Sequence, residues 1–184
     1  MLLDILYLAQ QRNLPQSLRD TKCWTLGRRT RGKNRAYRLN GHTQARSNHP
    51  EDWHDFESCI SAARDLPQVD HLHIATGACL GNGLVTAGFD FDHCVCPDTN
   101  ELDTRVAAIV RQVGSYYEYS PSGTGIRILV TAPKGIRNIA NPQQGFEFYA
   151  GKHFLSVCGR TNGLFRDRHA DDARPLRNLE EVDG

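Results

Sequence analysis

Apolar residues recur at helical spacing in three stretches. Leu2, Leu3, Leu6 and Ala9 predict a helix over residues 2–12, which Pro15 ends. Trp53, Phe56, Ile60 and Ala63 predict a second, with Pro50 at its first helical position and Leu66-Pro67 closing it. Val106, Ile109, Val110 and Val113 line one side of a third, from Glu101 to Val113, with Thr99 as its cap and Gly114 as its stop. Elsewhere the pattern is that of short strands: KCWTL (22–26), HLHIAT (71–76), GLVTAGFDFD (83–92), SYYEYS (115–120), IRILVTA (126–132), FEFYA (146–150) and HFLSVCG (153–159). Residues 27–49 are polar and read as a loop or loose hairpin, and Gly77, Gly81 and Gly83 suit a turn. The class is therefore α+β: a largely antiparallel sheet with helices on one side.

Composition narrows this picture. A chain of 184 residues makes one domain, two at most. With 39% hydrophobic residues, 23% charged and a net charge of +1, it has the means for a core and is neither a disordered polar chain nor a strongly basic coat protein. No apolar run is long enough to span a membrane. The start, MLLDILYLAQ, lacks a basic region and carries Asp4, so it reads as a helix rather than a signal peptide. The six cysteines then read as reduced thiols of a cytoplasmic protein. Charge is unevenly spread. Arg28, Arg29, Arg31, Lys33, Arg35 and Arg38 occur with no acid among them, which fits a solvated loop or a phosphate-binding arm. After Gly159 the chain is polar and charged, a tail or linker over 161–184.

Three features carry chemistry. In Phe89-Asp90-Phe91-Asp92 a strand sends both phenylalanines to the core and both carboxylates to the other face, their Cα atoms about 7 Å apart. Acids so close call for a cation between them, and a divalent ion with hard oxygen ligands is the natural one. In SPSGTGIRI, Ser120, Ser122 and Thr124 supply hydroxyls, Gly123 and Gly125 allow close backbone approach, and Arg127 can grip phosphate oxygens. In FEFYAGK, Glu147 is a third acid on a strand built for burial, and Lys152 follows as another cation. Two weaker patterns compete. His71-Leu72-His73 puts two imidazoles on one face, as in rolling-circle nucleases, with Tyr116, Tyr117 and Tyr119 as candidate nucleophiles. His93, Cys94 and Cys96 begin a zinc pattern that no second cysteine pair completes.

In this order the motifs GFDFD, YYEYSPSGTGIRI, FEFYAG, Lys152 and HFLSVCG resemble the archaeo-eukaryotic primase superfamily, especially the primase-polymerase domains of phages and plasmids. The resemblance covers about residues 70–160. It implies a catalytic domain over 1–160, with a small N-terminal α/β unit to about residue 70 and an RRM-like catalytic sheet after it. It implies Asp90, Asp92 and Glu147 as catalytic ligands of two Mg²⁺ or Mn²⁺ ions. Ser120, Ser122, Gly123, Thr124, Gly125, Arg127 and Lys152 would bind a nucleoside triphosphate. Many members have histidine where this chain has Arg127, and arginine cannot exchange a proton as imidazole does. The implied activity is template-directed nucleotidyl transfer on single-stranded DNA or a primer-template. The arm of Arg28, Arg29, Arg31, Lys33 and Arg35 would hold the strand, and a replicative helicase, fused or separate, would be the partner. The alternatives are the nuclease and a non-catalytic nucleotide- or DNA-binding module of the same fold. Carboxylate repulsion further predicts that removing any one of the three acids leaves the apo fold as stable or more so.

Overall fold

The computed structural model describes residues 14–159 and 177–178; the helix expected over 2–12 and most of the expected tail lie outside them. The chain is mixed α/β, with two antiparallel sheets and few helices. The first sheet has the order β10-β3-β1-β2, from β1 (Trp24–Thr30), β2 (Lys33–Tyr37), β3 (His71–Ala75) and β10 (Phe154–Val157). The second has the order β6-β7-β5-β9-β8, from β5 (Leu84–Phe91), β6 (Tyr117–Tyr119), β7 (Ile126–Pro133), β8 (Ile139–Asn141) and β9 (Phe146–Tyr149), with β4 (Cys79–Gly81) also pairing β5. HLHIAT and GLVT are thus neighbours in sequence but belong to different sheets, and the last strand returns to pair with β3.

Among the described residues, each sheet carries one helix longer than a single turn. On the first, α2 (Phe56–Arg64) follows the one-turn α1 (Gln16–Arg19), and its Phe56, Cys59, Ile60 and Ala63 are buried in one core with Trp24, Leu26, Leu72 and Ile74. The rings of Phe56 and Trp24 meet edge to face at 5.0 Å. On the second, Val106, Val110 and Val113 of α3 (Thr104–Val113) share a core with Phe91, Ile126, Ile128 and Val130.

The helix bounds differ from the spacing-based expectation for local reasons. Pro50 opens a separate 3₁₀ turn, Pro50–Asp52, because His54 pairs with Trp24 in extended conformation. Asp55 then caps α2, its carboxylate accepting the Ser58 amide at 2.8 Å. Asp103 replaces Thr99 as the cap of α3, accepting the amides of Arg105 and Val106, while Gly114 ends that helix in the left-handed conformation, as expected. Pro15 stands at the N-cap of a helical turn, Gln16–Arg19. All six cysteines are free thiols.

The sheets touch where Gly88 of β5 meets Leu155 of β10. A Cβ at Gly88 would lie 2.6 Å from Leu155 Cδ1 and 2.8 Å from the Ile128 carbonyl oxygen. We expect Gly88→Ala to lower unfolding free energy by about 2 kcal/mol through overpacking. Urea denaturation checks this, and unchanged stability would show that the packing there yields freely.

Candidate functional site

Strand register builds the site. Asp90 of β5 stands opposite Arg127 of β7 on one side and Glu147 of β9 on the other, and Arg127 in turn stands opposite Glu118 of β6. Directly opposed residues share a sheet face. One row therefore runs Glu118, Arg127, Asp90, Glu147 across four strands. The opposite face of the same strands presents Tyr117, Tyr119, Ile126, Ile128, Phe91 and Phe148 to the core under α3. Alternation along FDF thus separates the acids from the core, although Phe89 stays only half-buried, packed on Phe146 and Phe148.

The row is largely dry. Nε and Nη2 of Arg127 both donate to Asp90 Oδ2 at 3.3 Å, and the two side chains are 8% and 12% exposed. Burial raises the Asp90 carboxyl above its usual range; Arg127 pulls it down, and the charges of Asp92 and Glu147 push it up. Asp90 Oδ1 and Arg127 Nη1 are buried with no hydrogen-bond partner. Glu118 is wholly buried. It accepts the amides of Cys158 at 3.0 Å and Gly159 at 2.9 Å and the Tyr116 hydroxyl at 3.0 Å. Burial raises its pKa against the pull of those donors and of Arg127. Glu147 accepts the Tyr149 hydroxyl, and the Tyr149 ring stacks on His153 at 3.5 Å. Burial, assisted by the charge of Arg127, lowers His153 to about 4.

Asp92 lies just past the end of β5 and is exposed. Its amide donates to the Gly145 carbonyl at 2.9 Å, tying it to the start of β9. The SPSGTG turn joins β6 to β7 on the other side. There the Ser120 and Ser122 hydroxyls bond at 2.9 Å, those of Ser122 and Thr124 at 3.0 Å, and the Gly125 amide donates to Ser120 Oγ. A Cβ at Gly125 would sit 2.5 Å from the Phe91 carbonyl oxygen, so only glycine lets this turn lie against the end of β5. Gly123 has φ +81° and closes the turn. The residues from Ser120 to Arg127 are in this way brought beside Asp90 and Asp92. Lys152 is placed differently: it is exposed, in the turn between β9 and β10, and lines a groove of about 480 Å³ with Lys134, Thr76 and Asn138.

The basic arm is a hairpin with Arg31 and Gly32 at its tip, both at positive φ. Its cations do not form one patch. Register puts Arg28, Lys33 and Arg35 on one face and Arg29 on the other. Arg29, Arg31, Lys33 and Arg35 are exposed, whereas Arg28 covers the buried Tyr37 ring at 4.8 Å and donates to its hydroxyl. The Tyr37 ring is therefore buried beneath Arg28 and presents no open face. Arg38 is tied to Asp52 at 2.7 Å, alongside Arg46, whose hydrogen bond above all lowers Asp52 to about 2.

The rival patterns separate in space. His71 and His73 share a face, but Tyr117 and Tyr119 belong to the core under α3, and the Tyr116 hydroxyl is bonded to Glu118. Cys94 is buried, donating to the Phe91 carbonyl, while Cys96 is exposed. Among the described residues no three His, Cys, Asp or Glu side chains are gathered as a metal-binding group, and no helix is long and apolar enough to cross a membrane. Arg177 and Asn178, within the expected tail, lie beside Thr131, whose amide donates to the Arg177 carbonyl at 2.8 Å.

Compared with known proteins, the chain matches no family model and no curated sequence.

The motifs point to Asp90, Arg127 and Glu147 but not to Glu118, although the same signal, an acid alternating with large rings on a short strand, marks it. The ion pair also corrects the stability expectation for Asp90, since removing that acid strands a buried guanidinium. We expect Asp90→Ala to cost about 3–5 kcal/mol and the exposed Asp92→Ala less than about 0.5 kcal/mol, as read by chemical denaturation. Equal small effects would mean that the Arg127 pair carries no weight.

Proposed function

We propose that this chain is a template-directed nucleotidyltransferase of the primase-polymerase kind, with the second sheet as an RRM-like catalytic platform. The observation that carries the reading is the cross-strand placement of Glu147 opposite Asp90, with Arg127 on the other flank and the SPSGTG turn at the end of the same strand. These are the elements of the resemblance, drawn from three separate segments and meeting at one spot.

Carboxylate oxygens are the donors that a hard divalent cation takes, although the three acids are not gathered around one point in this structure. Asp90 Oδ1 is buried without a partner, and Asp92 and Glu147 are near enough to raise the Asp90 carboxyl. Asp90, Asp92 and Glu147 would hold Mg²⁺ or Mn²⁺. When bound, such ions supply Lewis-acid activation of an attacking 3′-hydroxyl and neutralisation of the triphosphate. The chain's own residues supply position. Arg127 keeps Nε and Nη2 on Asp90 and offers Nη1 to a phosphate oxygen. The turn hydroxyls of Ser120, Ser122 and Thr124 lie at the same strand ends. The exposed cations of the β1–β2 hairpin, Arg29, Arg31, Lys33 and Arg35, offer charge to a single-stranded DNA template. A replicative helicase as partner and a cytoplasmic setting belong to this reading. The Asp90–Arg127 pair favours one second reading, a nucleotide-binding module without turnover, in which arginine permanently neutralises the acid.

Primed-template extension with ribo- and deoxyribonucleotides decides. We expect activity that needs Mg²⁺ or Mn²⁺ and falls at least about 100-fold in Asp92→Asn and Glu147→Gln. Undiminished activity in either variant, or turnover in chelator, would sink the polymerase reading; metal-dependent triphosphate binding without extension would select the binding module. For the arm, replacing Arg29, Arg31, Lys33 and Arg35 by Gln should weaken binding equally for all single-stranded sequences. It should also flatten the log–log salt slope by about 0.7 for each phosphate left unneutralised. An unchanged slope would return the arm to a solvated hairpin.

A further inference from the structure

The acid row leaves unused the groove of about 480 Å³ that Lys152 lines. Lys134, from the turn after β7, is a second cation on its wall. Trp53 and Val85 line it with buried apolar surface, and Ile136 with exposed apolar surface.

Backbone bonds fix these walls. The Lys134 amide donates to the Gly83 carbonyl at 2.8 Å. Asn138 clips the two lysine-bearing turns together: its Nδ2 donates to the Gly151 carbonyl at 2.8 Å, and its Oδ1 accepts the Ala150 amide at 2.9 Å. Gly77 packs against the same turn. Its amide donates to the Thr86 carbonyl at 2.7 Å, and a Cβ on it would come within 2.9 Å of Gly151 Cα. Lys152 itself is left-handed at φ +57°, a conformation that costs a lysine and that glycine adopts freely. The lysine backbones are thus held in place, while both side chains are exposed.

The charge of the groove is one-sided. Its lining includes no acid, and neither ammonium has an ion-pair partner among the described residues. Two uncompensated cations beside apolar surface suit a ligand with anionic and apolar parts. The place is also separate from the acid row: Val85 lies five residues before Asp90 on β5, about 17 Å along the strand. A triphosphate travels with a divalent ion that takes carboxylate ligands, and the groove offers none. Successive phosphodiesters carry one negative charge each, and two lysines match two of them.

We propose that the Lys134–Lys152 groove binds single-stranded DNA, with two successive phosphates on the lysines and a base against Ile136 and Trp53. The choice of a DNA strand rests on the polymerase reading, which requires a template. Lys152 then serves the strand rather than the triphosphate. Charge and apolar contact do not read base edges, so the groove accepts any sequence.

Trp53 reports on the groove, because the chain has two tryptophans and Trp24 is wholly buried in the first core. The whole chain is titrated in chelator with a labelled oligothymidylate over a series of salt concentrations. Anisotropy of the label gives affinity, and tryptophan emission locates the strand. In wild type, binding should change the emission. Lys134→Gln combined with Lys152→Gln, at two exposed and unpaired positions, should weaken binding and flatten the log–log salt slope by about 0.7 for each of the two phosphates. A nucleoside triphosphate with Mn²⁺ should leave the emission unchanged. Strand binding with a wild-type slope in the double variant, or without an emission change in wild type, would overturn the groove assignment and leave the polymerase reading standing. A lysine-dependent emission change with triphosphate but not with the strand would overturn the choice of ligand. Failure of the wild-type chain to bind the oligonucleotide at all would count against the polymerase reading itself.

Discussion

The Asp90–Arg127 ion pair is the constraint on which the rest of the site depends. Two opposite charges sit in the middle strands of the second sheet, almost out of reach of water. Neither tolerates burial alone, because an unpaired charge in a low-dielectric interior costs several kcal/mol. Each therefore requires the other, and their register pins β5 against β7 at the end where the SPSGTG turn begins. A slip of one residue would bury Asp90 among the valines and isoleucines under α3.

The pair is incompletely satisfied, and that incompleteness gives the site its chemical character. One oxygen of Asp90 and one nitrogen of Arg127 have no partner, while Glu118 behind Arg127 is bonded to two amides and a hydroxyl. The fully bonded end of the row anchors the chain as it leaves β10. At the other end of the row stand the half-buried Glu147 and, just past the strand, the exposed Asp92.

The first sheet contributes more than a support for α2. Asp70, His71 and His73 form a hydrogen-bonded chain at and along β3, an interior strand of that sheet. Gly88 and Leu155 bring the sheets together, and Gly27 clears the space for His71. Glycines without functional groups thereby set how closely the two sheets and the His71 ring can pack.

Much of this was legible in the sequence. Strict alternation in FDF and FEF put acids and rings on opposite faces before any strand was paired. The Gly114 stop of α3 followed from backbone sterics, and the short strands followed from β-branched and aromatic runs between turn residues. Where helices begin was less legible, because a proline and a capping acid both mark starts, and the choice fell to the pairing of His54 with Trp24. Tertiary structure alone decided which strands became neighbours. It sent HLHIAT and GLVT to different sheets, set Arg127 against Asp90, withdrew Tyr37 beneath Arg28, and turned two histidines that resemble metal ligands into a hydrogen-bonded chain. The physical reason is that periodicity encodes the face a residue occupies, a local property of the backbone. Its partner across the sheet depends on the burial and charge balance of segments far apart in the chain.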